Sequence, residues 1–365
     1  MIPGNNHGGR NGRMANDAVM LKYLTLGIFH MQRRNCAMTD CDAKACYDRI
    51  LPIVLYLCYS KAGLPHEACV WLCRALVQME YHVTSAHGVS EDTSKSEGNE
   101  IIYGIGQGAT DVPAGWLLVS TIISKVHDTR AKGCKVTAPM NTTKIAWSHV
   151  MFLDDAYLMH THESINPNES QLKEIVKHDI TSWNDALHVS GGKLEPSKTK
   201  YFLVVWKFKP DGTPYLTPKD ENNNNEGVII QDANKTSTHI NQIDPMVDES
   251  GFKSLGVRTP GSLEDRYEFE AIIDKAKKFI KFLTACPVNR EEAMIAYQQY
   301  LVPSYAYGAV ALSLTTKQTM VIHKVVLPAL LPKLGYQQSF PRAVVFAPKV
   351  MGGIGIVPYQ TLITP

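Results

Sequence analysis

The sequence predicts an α+β fold in which helices pack on an antiparallel sheet and a helical region follows. Stretches of strand-forming residues alternate with apolar residues at helical spacing between residues 36 and 206. Acidic residues stand at the ends of several of these strand patterns, and beyond Gly261 the pattern is mostly helical. Such an order is typical of an α+β chain with a separate helical domain.

Each predicted element has a local signal. Gly63 and the pair Gly191-Gly192 close helices, Pro65 opens one, and Asp111 caps another with Pro113 in its first turn. The predicted strands are 36–42, 144–151, 156–160 and 201–206, and the predicted helices are 49–62, 65–77, 111–126, 172–187, 267–283, 289–301 and 317–334.

Two segments are predicted to be irregular. Residues 85–99 are polar and contain two glycines, which favours a mobile loop. Residues 207–249 contain a run of four asparagines, four prolines and few large apolar residues. We expect this second segment to be an extended surface insertion.

Composition limits the class of protein. The 365 residues are 44% hydrophobic, enough for a buried core and two or three domains. No apolar run approaches the roughly 20 residues of a membrane span, and the Gly-, Asn- and Arg-rich amino terminus is not a secretory signal. The eight cysteines lack CxxC spacing, which favours free thiols in a reducing compartment. We therefore expect an intracellular protein of the cytoplasm or nucleus, with no membrane association.

The formal charge of +2 is low for a protein that binds nucleic acid. Its distribution is uneven, because residues 1–35 hold five basic residues against one acidic residue, and residues 261–365 hold eleven against seven. Basic ends around an acidic middle suit phosphate binding outside and cation binding at the centre. Ordinary solvated surface charge is the alternative.

Carboxylates follow two separated strand patterns, at Asp42 and at Asp154-Asp155. Strand ends that meet at one edge of a sheet bring such carboxylates together, and Mg²⁺ takes oxygen ligands while leaving positions open for substrate phosphates. A pair of these ions supports phosphoryl or nucleotidyl transfer. A solvated hairpin tip is the alternative reading of the Asp pair. His160 and His162 share a strand face, but no further ligand lies nearby in sequence, so we expect no metal there.

Four motifs stand in a fixed order. They are an Asp with an aromatic residue five positions on, a Gly-x-x-Gln-Gly turn with a following Pro, a Phe-x-Asp-Asp segment, and a Gly-Gly-Lys segment that ends in Lys-Thr. They occupy residues 42–48, 104–113, 152–155 and 190–199. In this order they resemble the reverse-transcriptase region of a non-LTR (LINE-type) retrotransposon, and the likeness extends from about residue 8 to residue 358.

The resemblance implies a right-hand polymerase fold. Residues 1–35 would form partial fingers, and residues 36–260 the palm, including finger helices at 50–100 and the insertion at 207–249. Residues 261–365 would form a helical thumb.

The resemblance also implies an RNA-directed DNA polymerase that uses an RNA template, a DNA primer and dNTPs. Asp42 and Asp154 would hold Mg²⁺ or Mn²⁺, and Asp155 would be a third catalytic carboxylate that binds metal less directly. Lys198 would protonate the leaving pyrophosphate. Tyr47, Gln107 and Gly108 would contact the incoming nucleotide, with the Tyr47 ring excluding a ribose 2′-hydroxyl. The expected nucleic-acid contacts are Arg10, Arg13, Phe252, Lys253 and Gly256.

The chain departs from the family pattern in places. Gly106 stands where the family usually has Arg, and Glu195 where it commonly has Asn. The likeness begins inside the fingers, which leaves two alternatives open. One is a catalytically inactive fragment that binds nucleic acid, and the other is a viral-type RNA-dependent RNA polymerase. Leu153-Asp154 and Gln107-Gly108 argue against the viral type, which usually has Gly-Asp-Asp and a Ser-Gly-x-x-x-Thr segment.

Overall fold

The computed structural model has two compact units, Met1–Pro245 and Met246–Pro365. The described residues are 3–44, 46–95, 104–105, 112–137, 144–164, 166–219, 227–231, 235–246, 253–309 and 312–363. Gln107, Gly108, Asp111 and Phe252 lie outside these ranges.

The first unit is built on a six-stranded sheet. Its strands are β1 (Cys36–Cys41), β6 (His149–Phe152), β7 (Asp155–Thr161), β8 (Lys200–Val204), β11 (Val228–Gln231) and β12 (Ser237–Gln242). They lie in the order β11-β12-β8-β1-β7-β6. Neighbouring strands are antiparallel except β12 and β8, which are parallel. The predicted antiparallel character of the sheet is thus correct for all but one pair.

Smaller two-stranded sheets accompany this main sheet. They pair β2 (Tyr81–Ser85) with β3 (Gly88–Ser94), β4 (Cys134–Thr137) with β5 (Lys144–Trp147), and β9 (Trp206–Phe208) with β10 (Pro214–Leu216). The helices of this unit are α1 (Ala15–Met31), α2 (Pro52–Ala62), α3 (His66–Val77), α4 (Val112–Arg130) and α5 (Glu169–Val189).

Helix α5 provides much of the core behind the sheet. It packs against β1, β7, β11 and α4, and an Asn168 capping box starts it. Leu172, Val176, Ile180 and Trp183 are buried along one side at the predicted spacing. Burial of each such side chain contributes about 1.5–3 kcal/mol relative to exposure. This packing fixes the strands whose ends carry the candidate site.

Two segments differ from the sequence prediction. Part of 85–99 is a hairpin, β2–β3, rather than a loop. The insertion predicted at 207–249 contributes β11 and β12 to the main sheet, and Val228, Ile230 and Ile240 are fully or almost fully buried. Burial alternates along β11, so only two of its residues face the core. So few apolar residues leave only a weak strand pattern in the sequence.

The second unit is mainly helical. A short hairpin, β13 (Lys253–Ser254) and β14 (Val257–Arg258), precedes its helices. These are α6 (Arg266–Ala285), α7 (Arg290–Ala296), a π-helical turn (Tyr297–Leu301), α8 (Val302–Ala309), α9 (Thr316–Lys333), α10 (Arg342–Phe346) and α11 (Tyr359–Ile363).

The hairpin belongs with these helices, whereas the sequence prediction grouped residues up to 260 with the palm. Val257 is buried, and the Arg258 backbone N–H donates to Glu268 of α6 at 2.8 Å. Across the described ranges, no helix has both the length and the apolar character needed to cross a membrane.

Candidate active site

The candidate site lies where β1 ends and β7 begins. The two strands are antiparallel, and Cys41 faces Ala156 in their register. Asp42 directly follows Cys41, and Asp154 and Asp155 directly precede Ala156. The three aspartates therefore lie at the same end of this strand pair. Asp42 and Asp154 line one cavity of about 190 Å³, together with Tyr47, Glu195 and Lys198. Two carboxylates far apart in sequence thus face one space.

The loop before β8 folds over the first carboxylate. Lys198 Nζ lies 3.2 Å from Asp42 Oδ2. The Glu195 backbone N–H donates to the Asp42 carbonyl at 2.9 Å, and the Lys44 N–H donates to the Lys193 carbonyl at 2.8 Å. The predicted residues Asp42 and Lys198 therefore meet directly, which puts a cation and an anion at the cavity wall.

Asp155 is not among the residues that line the cavity. Burial raises the pKa of its carboxyl to about 6, and the charges of Asp154, Asp40 and Asp42 add to this effect. Attraction from Lys22 on α1 opposes the shift. The surroundings of Asp155 therefore disfavour its charged form in the absence of added cations.

The hairpin tip between β6 and β7 is held by the amino-terminal segment. The His7 N–H donates to the Met151 carbonyl at 2.9 Å, and the Met151 N–H donates to the Asn5 carbonyl at 3.0 Å. A Cβ on Gly8 would lie 2.2 Å from Leu153 N, so only glycine fits there. Leu153 itself has φ 55°, an unusual conformation for a non-glycine residue. The tip that presents Asp154 is therefore fixed from outside the sheet.

Tyr47 lies at the cavity with its ring against α4. Its ring centre is 5.6 Å from that of Trp116 in an edge-on arrangement, and burial raises its pKa to about 12. The Ile105 N–H donates to the Tyr47 carbonyl at 2.9 Å. Gly104 has φ +110° and a Cβ there would lie 2.4 Å from Asp48 Cα. The described start of the second motif therefore packs on the first, while Gln107 and Gly108 lie outside the described residues.

The expected nucleic-acid contacts lie in different places. Arg10 donates to the carbonyls of Pro3 and Asn6, both at 2.9 Å, so its guanidinium closes the amino-terminal turn. Arg13 is exposed. Lys253 and Gly256 belong to the hairpin of the second unit, where Gly256 has φ +86° in the turn. Phe252 is outside the described residues.

Sequence reasoning missed two buried charged groups. Lys22 is fully buried and donates to Asp40 at 3.0 Å. Asp179 is fully buried and accepts the backbone N–H groups of Lys132 and Gly133 at 2.8 and 3.1 Å. The signal for Lys22 is in the sequence, since a lone lysine interrupts the apolar run 18–29.

His160 belongs to the Asp179 network. Its Nδ1 lies 2.9 Å from Asp179 Oδ2 and its Nε2 lies 2.9 Å from Thr39 Oγ1. His162 Nδ1 lies 2.6 Å from the Ser164 hydroxyl. The two histidines therefore bond to different partners.

The donor set at the cavity suits a hard cation. Among the residues that the structure describes, no three His, Cys, Asp or Glu side chains are arranged to hold a metal by themselves. Mg²⁺ commonly takes one or two protein carboxylates and completes its shell with water and substrate phosphates. Asp42 and Asp154 fit that limited requirement, and the ion would have to displace Lys198 from Asp42.

No family model and no curated protein matches the chain. Among solved structures, the chain is similar to telomerase from Candida tropicalis in complex with a TWJ fragment of telomeric RNA, with 13% identity and a TM-score of 0.38 over 98% of this chain and 52% of that one. A telomerase structure from Candida albicans in complex with the same kind of fragment has 12% identity and a TM-score of 0.35. The match covers 98% of this chain and 54% of that one.

An apo telomerase structure from Candida tropicalis that lacks its C-terminal domain gives 16% identity and a TM-score of 0.37 over 55% of this chain and 36% of that one. This chain thus spans between about a third and about half of the length of these structures.

Proposed function

We propose that the chain catalyses RNA-directed DNA synthesis as the reverse-transcriptase part of a retrotransposon protein. The observation that carries the proposal is that Asp42 and Asp154, which are 112 positions apart in sequence, line one cavity with Lys198 and Tyr47. The order of the four motifs along the chain supports the choice of reverse transcription over other nucleotidyl transfers.

In this proposal the protein groups bind and orient the reactants. Asp42 and Asp154 hold the metal, Asp155 supports them, and the Lys198 ammonium gives a proton to the departing pyrophosphate. Mg²⁺ or Mn²⁺, when bound, supplies positive charge that stabilises the transferring phosphoryl group. The Tyr47 ring stands beside the nucleotide sugar and selects deoxynucleotides by steric exclusion. An RNA template, a DNA primer and dNTPs are the substrates.

Primer extension tests the proposal. A DNA primer annealed to an RNA template is incubated with dNTPs and Mg²⁺ or Mn²⁺, using the wild-type chain and Asp154→Asn. Asp185→Asn, at a half-buried position of α5, is the matched control because it removes a carboxylate away from the cavity. We expect extension by the wild type and the control and none by Asp154→Asn.

Three results would contradict the proposal in different ways. Equal extension by wild type and Asp154→Asn would exclude the two-carboxylate site. Binding of primer–template without any extension would favour the inactive nucleic-acid-binding fragment. Extension with rNTPs in preference to dNTPs would favour an RNA-dependent RNA polymerase.

A further inference from the structure

The ammonium group of Lys22 is buried beside the carboxylates of the candidate site. Its side chain is only 1% exposed, although it stands in the middle of α1. Nζ donates to Asp40 Oδ1 at 3.0 Å and lies 4.3 Å from the centre of the Tyr157 ring. Removing a lysine from water is costly unless other groups compensate its charge. An aliphatic side chain would fill the same space at lower cost, so packing alone does not explain this lysine.

The two groups that Lys22 contacts belong to the strands that carry the site. Asp40 on β1 and Tyr157 on β7 are directly opposite each other in the strand register. Two residues further along these strands, in the direction of the cavity, stand Asp42 and Asp155. Because side chains of a strand alternate between faces, Asp155 lies on the same face as Tyr157. One buried cation therefore contacts both strands immediately before they present the acidic residues.

Electrostatics explain why a cation is useful at this point. Asp40, Asp42, Asp154 and Asp155 place four carboxyl groups at one edge of the sheet, and their mutual repulsion favours separation of the strand ends. Lys22 attracts both Asp40 and Asp155. Unlike a bound metal, this side chain is part of the fold and is in place before any substrate arrives.

We propose that Lys22 is a positioning residue that holds the ends of β1 and β7 together, so that Asp42 and Asp154 face one cavity. It acts through Asp40 and Tyr157 and contacts neither nucleotide nor primer. This role rests on the proposed polymerase function and extends it to a residue outside the four motifs.

The test separates positioning from stability. Lys22→Met leaves Asp40, whose side chain is 15% exposed, without its cation and should lower Tm. Lys22→Met/Asp40→Asn removes both charges, and we expect it to regain Tm. Its kcat in primer extension should nevertheless remain reduced about tenfold or more, with the KM for dNTPs within about twofold, because the reacting groups are misplaced while nucleotide binding persists. Lys173→Met, at a partly buried lysine of α5, is the control and should keep wild-type values.

A second pair of variants tests the contact with β7. Tyr157→Phe keeps the ring beneath Lys22 and should keep kcat, whereas Tyr157→Leu removes it and should lower kcat. Recovery of both Tm and kcat in the double variant, or equal kcat in the two Tyr157 variants, would overturn the positioning role. If wild-type extension does not depend on Asp154, the proposed function itself fails, which is a different result.

Discussion

Lys198 Nζ lies 3.2 Å from Asp42 Oδ2, so the lysine of the fourth motif pairs with the aspartate of the first. The Lys198 side chain is 70% exposed and is therefore able to leave this position. Its hydrogen bond and charge interaction with Asp42 raise the pKa of Lys198, which keeps the ammonium charged at neutral pH. The Lys198 ammonium therefore pairs with the carboxylate that a metal ion would need, and it also places a proton donor at the cavity.

Lys198→Ala should separate these two effects. We expect kcat to fall about 10- to 100-fold, because the pyrophosphate loses its proton donor. The Mg²⁺ concentration for half-maximal activity should fall as well, since Asp42 no longer has a competing cation. Steady-state extension at varied Mg²⁺ measures both quantities. Lys198→Arg keeps the charge but transfers a proton poorly, so it should lower kcat without lowering the Mg²⁺ requirement. An unchanged kcat in Lys198→Ala would remove Lys198 from proton transfer.

Tyr47→Ala should relax the choice of sugar. Without the ring, a ribose 2′-hydroxyl no longer meets a steric barrier, and the ratio of rNTP to dNTP incorporation should rise roughly tenfold or more. Tyr47→Phe retains the ring and should keep the wild-type ratio. Competition assays with matched dNTP and rNTP pairs measure it. The same ratio in Tyr47→Ala and wild type would assign Tyr47 to packing against Trp116 alone.

Asp155→Asn should stabilise the metal-free protein at neutral pH. The folded-state pKa of Asp155 is raised to about 6, above its ordinary value of 3.8. The ionised form is therefore unfavourable in the folded state, and the stability cost appears as pH rises from about 4 through 6. Replacement by the neutral amide should raise the free energy of unfolding at pH 7.5 by about 1–2 kcal/mol, after allowance for solvent screening.

Urea unfolding in the presence of EDTA at pH 4 and pH 7.5 measures the Asp155 effect. The gain should be present at pH 7.5 and nearly absent at pH 4, where the wild-type carboxyl is protonated. A variant less stable than wild type at pH 7.5 would show that the Asp155 charge is satisfied in the fold.

Asp179→Ala should strongly destabilise the first unit. Its buried carboxylate accepts two backbone N–H groups and lies 2.9 Å from His160 Nδ1. Burial alone would raise the pKa of Asp179. The hydrogen bond and charge interaction with His160 outweigh burial, together with smaller contributions, and hold the pKa of Asp179 well below 3.8. Its contribution is thus present at neutral pH and is lost as pH falls below about 4. We expect a loss of about 3–5 kcal/mol in urea unfolding at pH 7. A decrease of less than about 1 kcal/mol in the free energy of unfolding would show that the Asp179 hydrogen bonds contribute little to stability.

Much of the fold follows from local patterns in the sequence. The α2 and α5 helices appear where apolar spacing and glycine ends predict them, since Gly63 has φ +95° at the end of α2. The β6–β7 hairpin appears around Asp154 as its flanking strand residues predict. Strands β11 and β12 were missed because each is short and surrounded by polar residues, so tertiary pairing decides their structure.

Part of the geometry of the candidate site was also predictable. Asp42, Tyr47, Asp154 and Lys198 line one cavity, and these residues stand in motifs with distinct spacing. The partners Lys22 and Asp40 were not found, because their interaction depends on how α1 lies against the sheet. The hydrogen bonds of Arg10 to its own turn were likewise beyond any sequence pattern, since they require the path of the amino-terminal segment.

Mn²⁺ binding measured by electron paramagnetic resonance tests the central claim most directly, because it reports the shared cation site without requiring turnover. Wild type, Asp42→Asn, Asp154→Asn and the control Asp185→Asn are titrated with Mn²⁺ in the presence of primer–template and a non-hydrolysable dNTP analogue. We predict that wild type and control bind Mn²⁺ with the same affinity and that either Asp42→Asn or Asp154→Asn weakens binding by about tenfold or more. Equal Mn²⁺ binding by all four proteins would contradict the shared site.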